Sequence, residues 1–462
     1  MKTILTICLN LLLSLLIVFG CSDNFTDNPK ANQAPKTFVS IFSNRNLSPT
    51  TSKITINWWG DDPDGLVVGF IYTFDPTAPD VQTWSNDSPD PKWVFTTKTE
   101  ETFTLTLAGN DTLYTFWVKA VDDADAADSP GAIQDFSIVN SRPIVEFPVA
   151  TDVPETTFTV ATFVWSSSDL DGDDTIAKFQ YALDDTSSIS NWLDIEPNVK
   201  SLTLTASDGL TEGEHVFFLR AIDLAGATSD IIRMPRQEDD VWYVREPSSS
   251  FLIVDDYNIA DNTGSFYQTT LQAIVGPVDT WDIKSNSNAL EPASPIAFTK
   301  TLQLFDRIFW YSDSNPNLEK AQVSLPDFLD GGGKIIMSST FPEFATNQGD
   351  PLDFSPVDSL GTKINRLLRN QLVRPTNRYA SQGFPDLQVN TAIIPFIFPV
   401  APKISSDTLY VLPENPGVWP GTPPMAVING SSTFVFFGLP ISRLDGQGTV
   451  SQLFEKILNE IF

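Results

Sequence analysis

The 462 residues carry 58 acidic and 28 basic side chains, one histidine and two cysteines, for a formal charge of −30. Proteins bind phosphate backbones with Lys and Arg that displace counterions, so this acid excess argues against DNA or RNA as a partner. A lone imidazole, His215, leaves multi-histidine metal centres and hydrolases built on a nucleophile–histidine pair without their parts. With 41% hydrophobic and 11% aromatic residues the chain is expected to fold, in about three domains for its length.

The chain opens on Met1-Lys2, continues through an apolar run from Ile4 to Phe19, and reaches Gly20-Cys21-Ser22. A positive start, a short apolar stretch and a small residue before the cut describe a signal peptide over 1–20. The run is too short for a comfortable membrane span. Val18-Phe19-Gly20-Cys21 resembles the lipobox of bacterial lipoproteins. The resemblance implies cleavage after Gly20 and acylation of Cys21 on its sulfur and its new amine. Several acyl chains on one residue would hold the protein stably on a membrane. Cys8 would leave with the signal peptide, so the mature chain would have no free thiol and no disulfide. The cut removes one Lys and no acid, taking the charge from −30 to −31. Ser22 permits outer-membrane sorting by analogy with enterobacterial lipoproteins, facing either the periplasm or the cell surface.

Residues 21–35 have almost nothing to bury and read as a lipid-anchored tether. A tandem repeat follows, over 36–140 and 141–247. Trp59-Gly60-Asp61-Asp62-Pro63-Asp64-Gly65 aligns with Trp165-Ser166-Ser167-Ser168-Asp169-Leu170-Asp171-Gly172, and Phe70-Ile71-Tyr72 with Phe179-Gln180-Tyr181. Trp93 aligns with Trp192, and Lys119-Ala120-Val121-Asp122 with Arg220-Ala221-Ile222-Asp223. Short alternating strands broken by Gly, Pro and Asp turns predict a β-sandwich in each copy.

An early Trp, a mid-domain Tyr and the late strand Tyr114-x-Phe116-x-Val118-x-Ala120 make these segments resemble fibronectin type III and related immunoglobulin-like modules. Strand alternation puts those four residues on one buried face. In the second copy the strand reads His215-x-Phe217-x-Leu219-x-Ala221. His215 stands where the resemblance places a Tyr whose polar tip bonds backbone near a corner, which implies a structural histidine. Such modules mostly space or bind.

From residue 248 the pattern changes. Phe251–Val254 is an apolar strand, Ser265–Val275 a helix, and Arg307–Tyr311, Lys334–Ser338, Met425–Ile428 and Thr433–Phe437 are further strands. Val450–Phe462 reads as an amphipathic helix with Leu453, Ile457 and Ile461 on one face. Apolar strands alternating with helices predict a parallel sheet covered on both sides. Gly331-Gly332-Gly333 before a strand, and Phe436-Phe437-Gly438-Leu439-Pro440 near the end, make 248–462 resemble the class I glutamine amidotransferase-like, flavodoxin-like superfamily. The expected architecture is therefore multidomain: two all-β sandwiches followed by an α/β parallel-sheet (flavodoxin-like) domain. Trp419, between prolines in a long insertion over 385–424, would cap the sheet or form a contact surface.

In active members of that superfamily a cysteine sits on a sharp turn after a central strand, with a histidine later. Here Lys334–Met337 runs into Ser338-Ser339-Thr340, with no cysteine and no histidine in the domain, so a Ser338 nucleophile would lack its base. No catalytic residue is assigned, and the domain reads as a pseudoenzyme in the sense that the superfamily's machinery is missing. Leu252-Ile253-Val254-Asp255-Asp256 is similar to the acidic pair of response-regulator receiver domains, but Asp313 is far along the chain and Thr433–Phe437 offers no lysine. Asp255, Asp256 and Asp313 remain candidates for a ligand-binding cluster at the carboxyl ends of the strands, a hard-oxygen set suited to Mg²⁺ or Ca²⁺.

Asp169, Asp171 and Asp173, with Asp61 and Asp64 in the first copy, are candidate calcium ligands. The loop is not an EF-hand: its glycine comes too early and Gln180 stands where the bidentate Glu belongs. Asp and Gly there also suit a tight strand connection. Apart from calcium no cofactor is expected. These readings point to a cell-envelope lipoprotein, held on the membrane by its lipid, that binds or scaffolds without catalysing, its partner a glycan or an envelope protein. The alternative is an extracellular hydrolase acting on glycans with carboxylates alone.

Overall fold

The computed structural model describes residues 31–41, 53–105, 111–149, 151–284, 294–312, 315–341 and 352–462. The signal peptide, Cys21 and Asp313 lie outside these residues. The structure is strand-rich, 41% strand and 16% helix. No helix among the described residues is long and apolar enough to cross a membrane. Two compact units divide the chain, one ending at Ser141 and one running from Arg142 to Phe462.

The first unit is a sandwich of β1 (Lys36–Ile41), β2 (Lys53–Asp61), β3 (Val67–Thr73), β4 (Val94–Thr96), β5 (Glu100–Thr104), β6 (Asp111–Asp122) and β7 (Ala132–Val139). One sheet runs β1-β2-β5 and the other β4-β3-β6-β7, all antiparallel. Period-2 alternation sends Ile54, Ile56 and Trp58 inward to meet Phe70, Phe116, Val118 and Ala120. Tyr114 is half-buried on the same strand face, against Phe74 and Phe136.

The second unit begins with β8 (Ile144–Glu146), β9 (Thr156–Thr157), β10 (Val160–Val164), β11 (Ser166–Ser168), β12 (Ile176–Leu183), β13 (Leu193–Ile195), β14 (Ser201–Thr205), β15 (Gly213–His215), β16 (Phe217–Asp223), β17 (Ile232–Met234) and β18 (Trp242–Val244). A four-stranded sheet, β13-β12-β16-β17, faces shorter pairings across a core of Phe163, Trp165, Phe179, Phe217 and Leu219. The repeat extends to its packing: Lys119 lies over the Trp93 ring at 5.7 Å, and Arg220 over Trp192 at 4.1 Å.

Trp58 and Trp165 fix the register of the repeat. Both are buried, and both stand four residues before an Asp-x-Asp-Gly turn, Asp62–Gly65 and Asp169–Gly172. Trp58 is therefore the counterpart of Trp165. The alignment of Trp59 with Trp165 is off by one: Trp59 matches Ser166 and points outward, half exposed.

The same unit continues through β19 (Phe251–Asp256), β20 (Asp279–Asp282), β21 (Arg307–Ser312), β22 (Lys334–Ser338), β23 (Val357–Leu360), β24 (Ile364–Leu368), β25 (Leu372–Pro375), β26 (Leu387–Gln388), β27 (Ile393–Ile397), β28 (Val400–Pro402), β29 (Ser406–Val411), β30 (Pro424–Asn429) and β31 (Phe434–Phe437). Its main helices are α1 (Thr263–Val275), α2 (Pro295–Leu302) and α3 (Leu318–Asp330), with the one-turn α4 (Asn377–Ala380) and the last helix α5 (Val450–Lys456). The main sheet has nine strands in the order β20-β19-β21-β22-β31-β30-β29-β25-β26. The first five are parallel. From β31 outward the ladder turns antiparallel. The all-parallel expectation fails there because only four residues, Gly430–Thr433, join β30 to β31, enough for a hairpin and not for a crossover.

Helices cover both faces of the parallel strands. Tyr267 and Leu271 of α1, with Leu453 and Phe454 of α5, pack one face, and Phe298 of α2 with Leu325 and Phe328 of α3 pack the other. Local chemistry sets their ends: Ser294 caps α2 through Ala297 N at 3.4 Å, with Pro295 in the first turn. After α3 the chain reverses at Gly332, φ +91°, where a side chain would be strained. Trp419 is buried in the core, its indole N–H donating to Pro413 O at 2.9 Å, so its ring packs inward instead of forming an exposed contact surface. The second sandwich joins this core through Phe158, whose ring lies 5.2 Å from Phe305 and 6.5 Å from Trp281.

Candidate functional site

The five parallel strands reverse their order between β19 and β21, and the crevice outside their carboxyl ends is where open α/β sheets place ligands. Register sets Asp255 opposite Tyr311 and Asp256 opposite Ser312. Because consecutive strand residues point to opposite faces, Asp255 and Asp256 do not converge.

Asp255 faces the α1 side. Its carboxyl is hydrogen-bonded to the Tyr311 hydroxyl and accepts Tyr257 N–H at 3.2 Å. Burial pushes it up to about 6, helped by the negative charge of Asp282. The Tyr311 hydroxyl is likewise held above its ordinary range by burial and by Asp255. Gly264, in the first turn of α1, permits this fit: a Cβ there would stand 3.0 Å from Tyr311 Oη and 3.6 Å from Asp255 Oδ2. Nearby, Asp261 accepts the Tyr257 hydroxyl at 2.7 Å. Burial works to raise Asp261, but hydrogen bonds from Tyr257 and Thr263 and the charge of Arg443 carry it below the usual carboxylate range.

Asp256 is spent on structure. It is fully buried; Oδ2 accepts Asn317 N–H at 2.7 Å and the Trp310 indole N–H at 3.3 Å, and Oδ1 accepts Asn317 Nδ2 at 2.7 Å. Lys284 Nζ stands 3.5 Å from Oδ1 and also bonds Asn315 O. Burial raises its carboxyl against the pull of Asn317 and Lys284. These bonds tie the end of β19 to the start of α3.

Ser338 ends β22 inside the protein, with 1% of its surface exposed. Its hydroxyl donates to Leu439 O at 3.0 Å and accepts Ile441 N–H at 3.2 Å, clamping the turn after β31. Ser339 accepts the Ser312 hydroxyl at 2.7 Å. His215 sits in the second sandwich, Nδ1 2.8 Å from Asp184 Oδ2 and Nε2 2.7 Å from Thr211 O, with its ring against Trp242. The backbone bond four residues upstream is the one the resemblance implied for the tyrosine.

Each aspartate loop holds carboxylate-to-backbone hydrogen bonds of its own. Asp169 Oδ1 accepts Asp171 N–H at 2.9 Å, and Asp173 Oδ1 accepts Asp169 N–H at 3.1 Å. In the first sandwich Asp62 Oδ1 accepts Asp64 N–H at 3.2 Å, Asp64 accepts Gln33 N–H at 3.3 Å, and Asp61 is exposed at the end of β2. Among the described residues no three His, Cys, Asp or Glu side chains converge as a metal would require. Sequence reasoning missed Tyr257, Asp261 and Tyr311; only the phase of β21 relative to β19 could have paired Tyr311 with Asp255.

No protein-family profile and no curated protein matches the chain. Solved structures similar to parts of it include the fibronectin(III)-like modules of Clostridium thermocellum CbhA, 14% identical with a TM-score of 0.18, covering 45% of this chain and 95% of that one. The FN1–FN3 domains of chicken CNTN1 are 10% identical with a TM-score of 0.20, covering 47% and 68%. A ThuA-like protein from Parabacteroides merdae is 11% identical with a TM-score of 0.31, covering 46% and 90%.

Proposed function

We propose that this chain is a lipid-anchored protein of the bacterial cell envelope whose two fibronectin-type sandwiches carry a flavodoxin-like, amidotransferase-like domain that binds or scaffolds without catalysing. The parallel strand order, second-first-third-fourth-fifth along the chain, supports the flavodoxin-like assignment. The observation that carries the non-catalytic reading is Ser338: at the position where the superfamily keeps its nucleophile, the hydroxyl is buried and engaged by Leu439 and Ile441. Activation would need a base beside it, and residues 248–462 contain no histidine. The test is twofold. Radiolabelled palmitate should enter the expressed chain and not its Cys21→Ser variant, and the purified protein should leave amide and ester substrates intact. Turnover that disappears in Ser338→Ala would refute the reading.

One observation favours a second reading, the carboxylate-dependent hydrolase acting on glycans. Asp255 is raised to about 6 while Asp261, at the same edge, is lowered, the kind of separation that divides acid from base. Cleavage of a polysaccharide, abolished by Asp255→Asn and by Asp261→Asn, would establish it.

A further inference from the structure

We propose that the outward face of the β1-β2-β5 sheet binds the sugar rings of a neutral glycan, with the Trp59 indole as its stacking surface. The site rests on the binding reading above for the existence of a ligand, and on none of the residues of the terminal domain.

Phe38 and Trp59 are direct cross-strand partners on this face. Their rings stack at 5.4 Å with 14° between planes, and Lys36 Nζ lies 5.7 Å from the Phe38 centroid. The indole is therefore braced on one side. The β2–β5 ladder ends at the Asn57–Glu100 pair, two residues before Trp59; beyond it only the exposed Lys98–Thr99 segment runs beside β2 among the described residues, Thr99 O accepting Trp58 N–H at 2.9 Å, and half of the indole (50%) is exposed. A rigid aromatic plane with an open face offers its negative quadrupole to the polarised C–H groups of a sugar ring. Hydroxyl groups need donors and acceptors beside that plane. The same face supplies them: Ser40 opposite Asn57, Asn57 opposite Glu100, and Thr55 bonded to Thr102 at 2.8 Å.

Two further observations narrow the occupant. At the matching register of the second sandwich Glu146 stands opposite Ser166, so the fold itself does not require the aromatic pair. A chain of charge −30 repels acidic polymers, so the sugar rings proposed for this face are those of a glycan without carboxylate or sulfate groups.

The test is affinity electrophoresis of the full mature chain in detergent through gels containing β-glucan, xylan or galactomannan. At least one polysaccharide should retard it, with Trp59→Ala binding about tenfold weaker, a loss of ~1.4 kcal/mol. Trp59→Phe should restore part of the retardation, and Trp59→Ala should melt with the parent, since the indole lies outside the core. No retardation by any of the three, or self-association abolished by Trp59→Ala, overturns the proposal. Retardation that survives Trp59→Ala keeps the binding reading and overturns this site. Asp255-dependent cleavage of the polysaccharide refutes the non-catalytic reading and leaves the platform standing.

Discussion

Asp255→Asn should stabilise the unit Arg142–Phe462 at neutral and mildly alkaline pH and change little in acid. An acid whose folded pKa lies above its unfolded value holds its proton more tightly in the native state. Stability therefore falls as pH rises from 3.8 to about 6, and stays low above that. At 1.36 kcal/mol per pH unit the gap between 3.8 and about 6 amounts to roughly 3 kcal/mol. Asparagine keeps an oxygen for Tyr311 and for Tyr257 N–H but never ionises, so it escapes that cost. In a unit of this size ~2 °C accompanies each kcal/mol, so the variant should melt roughly 6 °C higher at about pH 8 and with the parent at about pH 4. Thermal melts across that range, followed by circular dichroism, measure both. A gain of equal size at both ends would place the effect in packing, and no gain at all would mean that Asp255 is not held in a desolvated site. Either result would refute the reasoning. A carboxyl that destabilises its own fold is also what a functional site tends to keep.

Asp256→Ala should act in the opposite sense, costing about 3 kcal/mol because it takes the acceptor from the backbone N–H and the side-chain amide of Asn317 and removes a carboxylate 3.5 Å from Lys284; denaturant melts of this variant beside Asp256→Asn, which keeps an acceptor oxygen, should rank the alanine lower. Calcium in excess should leave the melting temperature unchanged, since Asp62, Asp169 and Asp173 accept backbone amides of their own loops; a rise that Asp169→Asn abolishes would reveal a site. Phe158→Ala should remove ~3 kcal/mol of packing between the second sandwich and the terminal core. Calorimetry should then resolve one transition more in the variant than in the parent.

Much of the fold was legible because it rests on local patterns. The helix read over Ser265–Val275 begins two residues earlier, and Lys334–Ser338 is a strand over its full expected length. Gly331–Gly333 stands before that strand and ends α3, with the Phe328 ring packed where a Cβ on Gly333 would fall, 2.3 Å away. What local pattern does not carry is partnership across the chain. Asp255 and Asp256 read alike in sequence, yet one meets Tyr311 and the other Asn317, Trp310 and Lys284. Their different roles come from which strand and helix lie beside each face, settled by register over more than 50 residues. The antiparallel half of the large sheet was hidden for the same reason: β26 and β29 lie in the insertion over 385–424 and β25 lies just before it, and their pairing is fixed by neighbours outside each local stretch.

The register error in the repeat shows how much can hang on one residue. A strand alternates its side chains with period 2, so sliding the alignment by one exchanges the inner face for the outer. Matching Trp59 to Trp165 placed an outward indole in the core and left Trp58, which is 1% exposed and lies 5.6 Å from Phe116, without a role. With Trp58 in the core position, Trp59 is not needed for packing, since the second sandwich builds the same ladder with Ser166 and Glu146. What the fold leaves at this register is an outward aromatic pair, Phe38 and Trp59, with Ser40 and Asn57 on the same face, and that is the surface we propose a glycan covers.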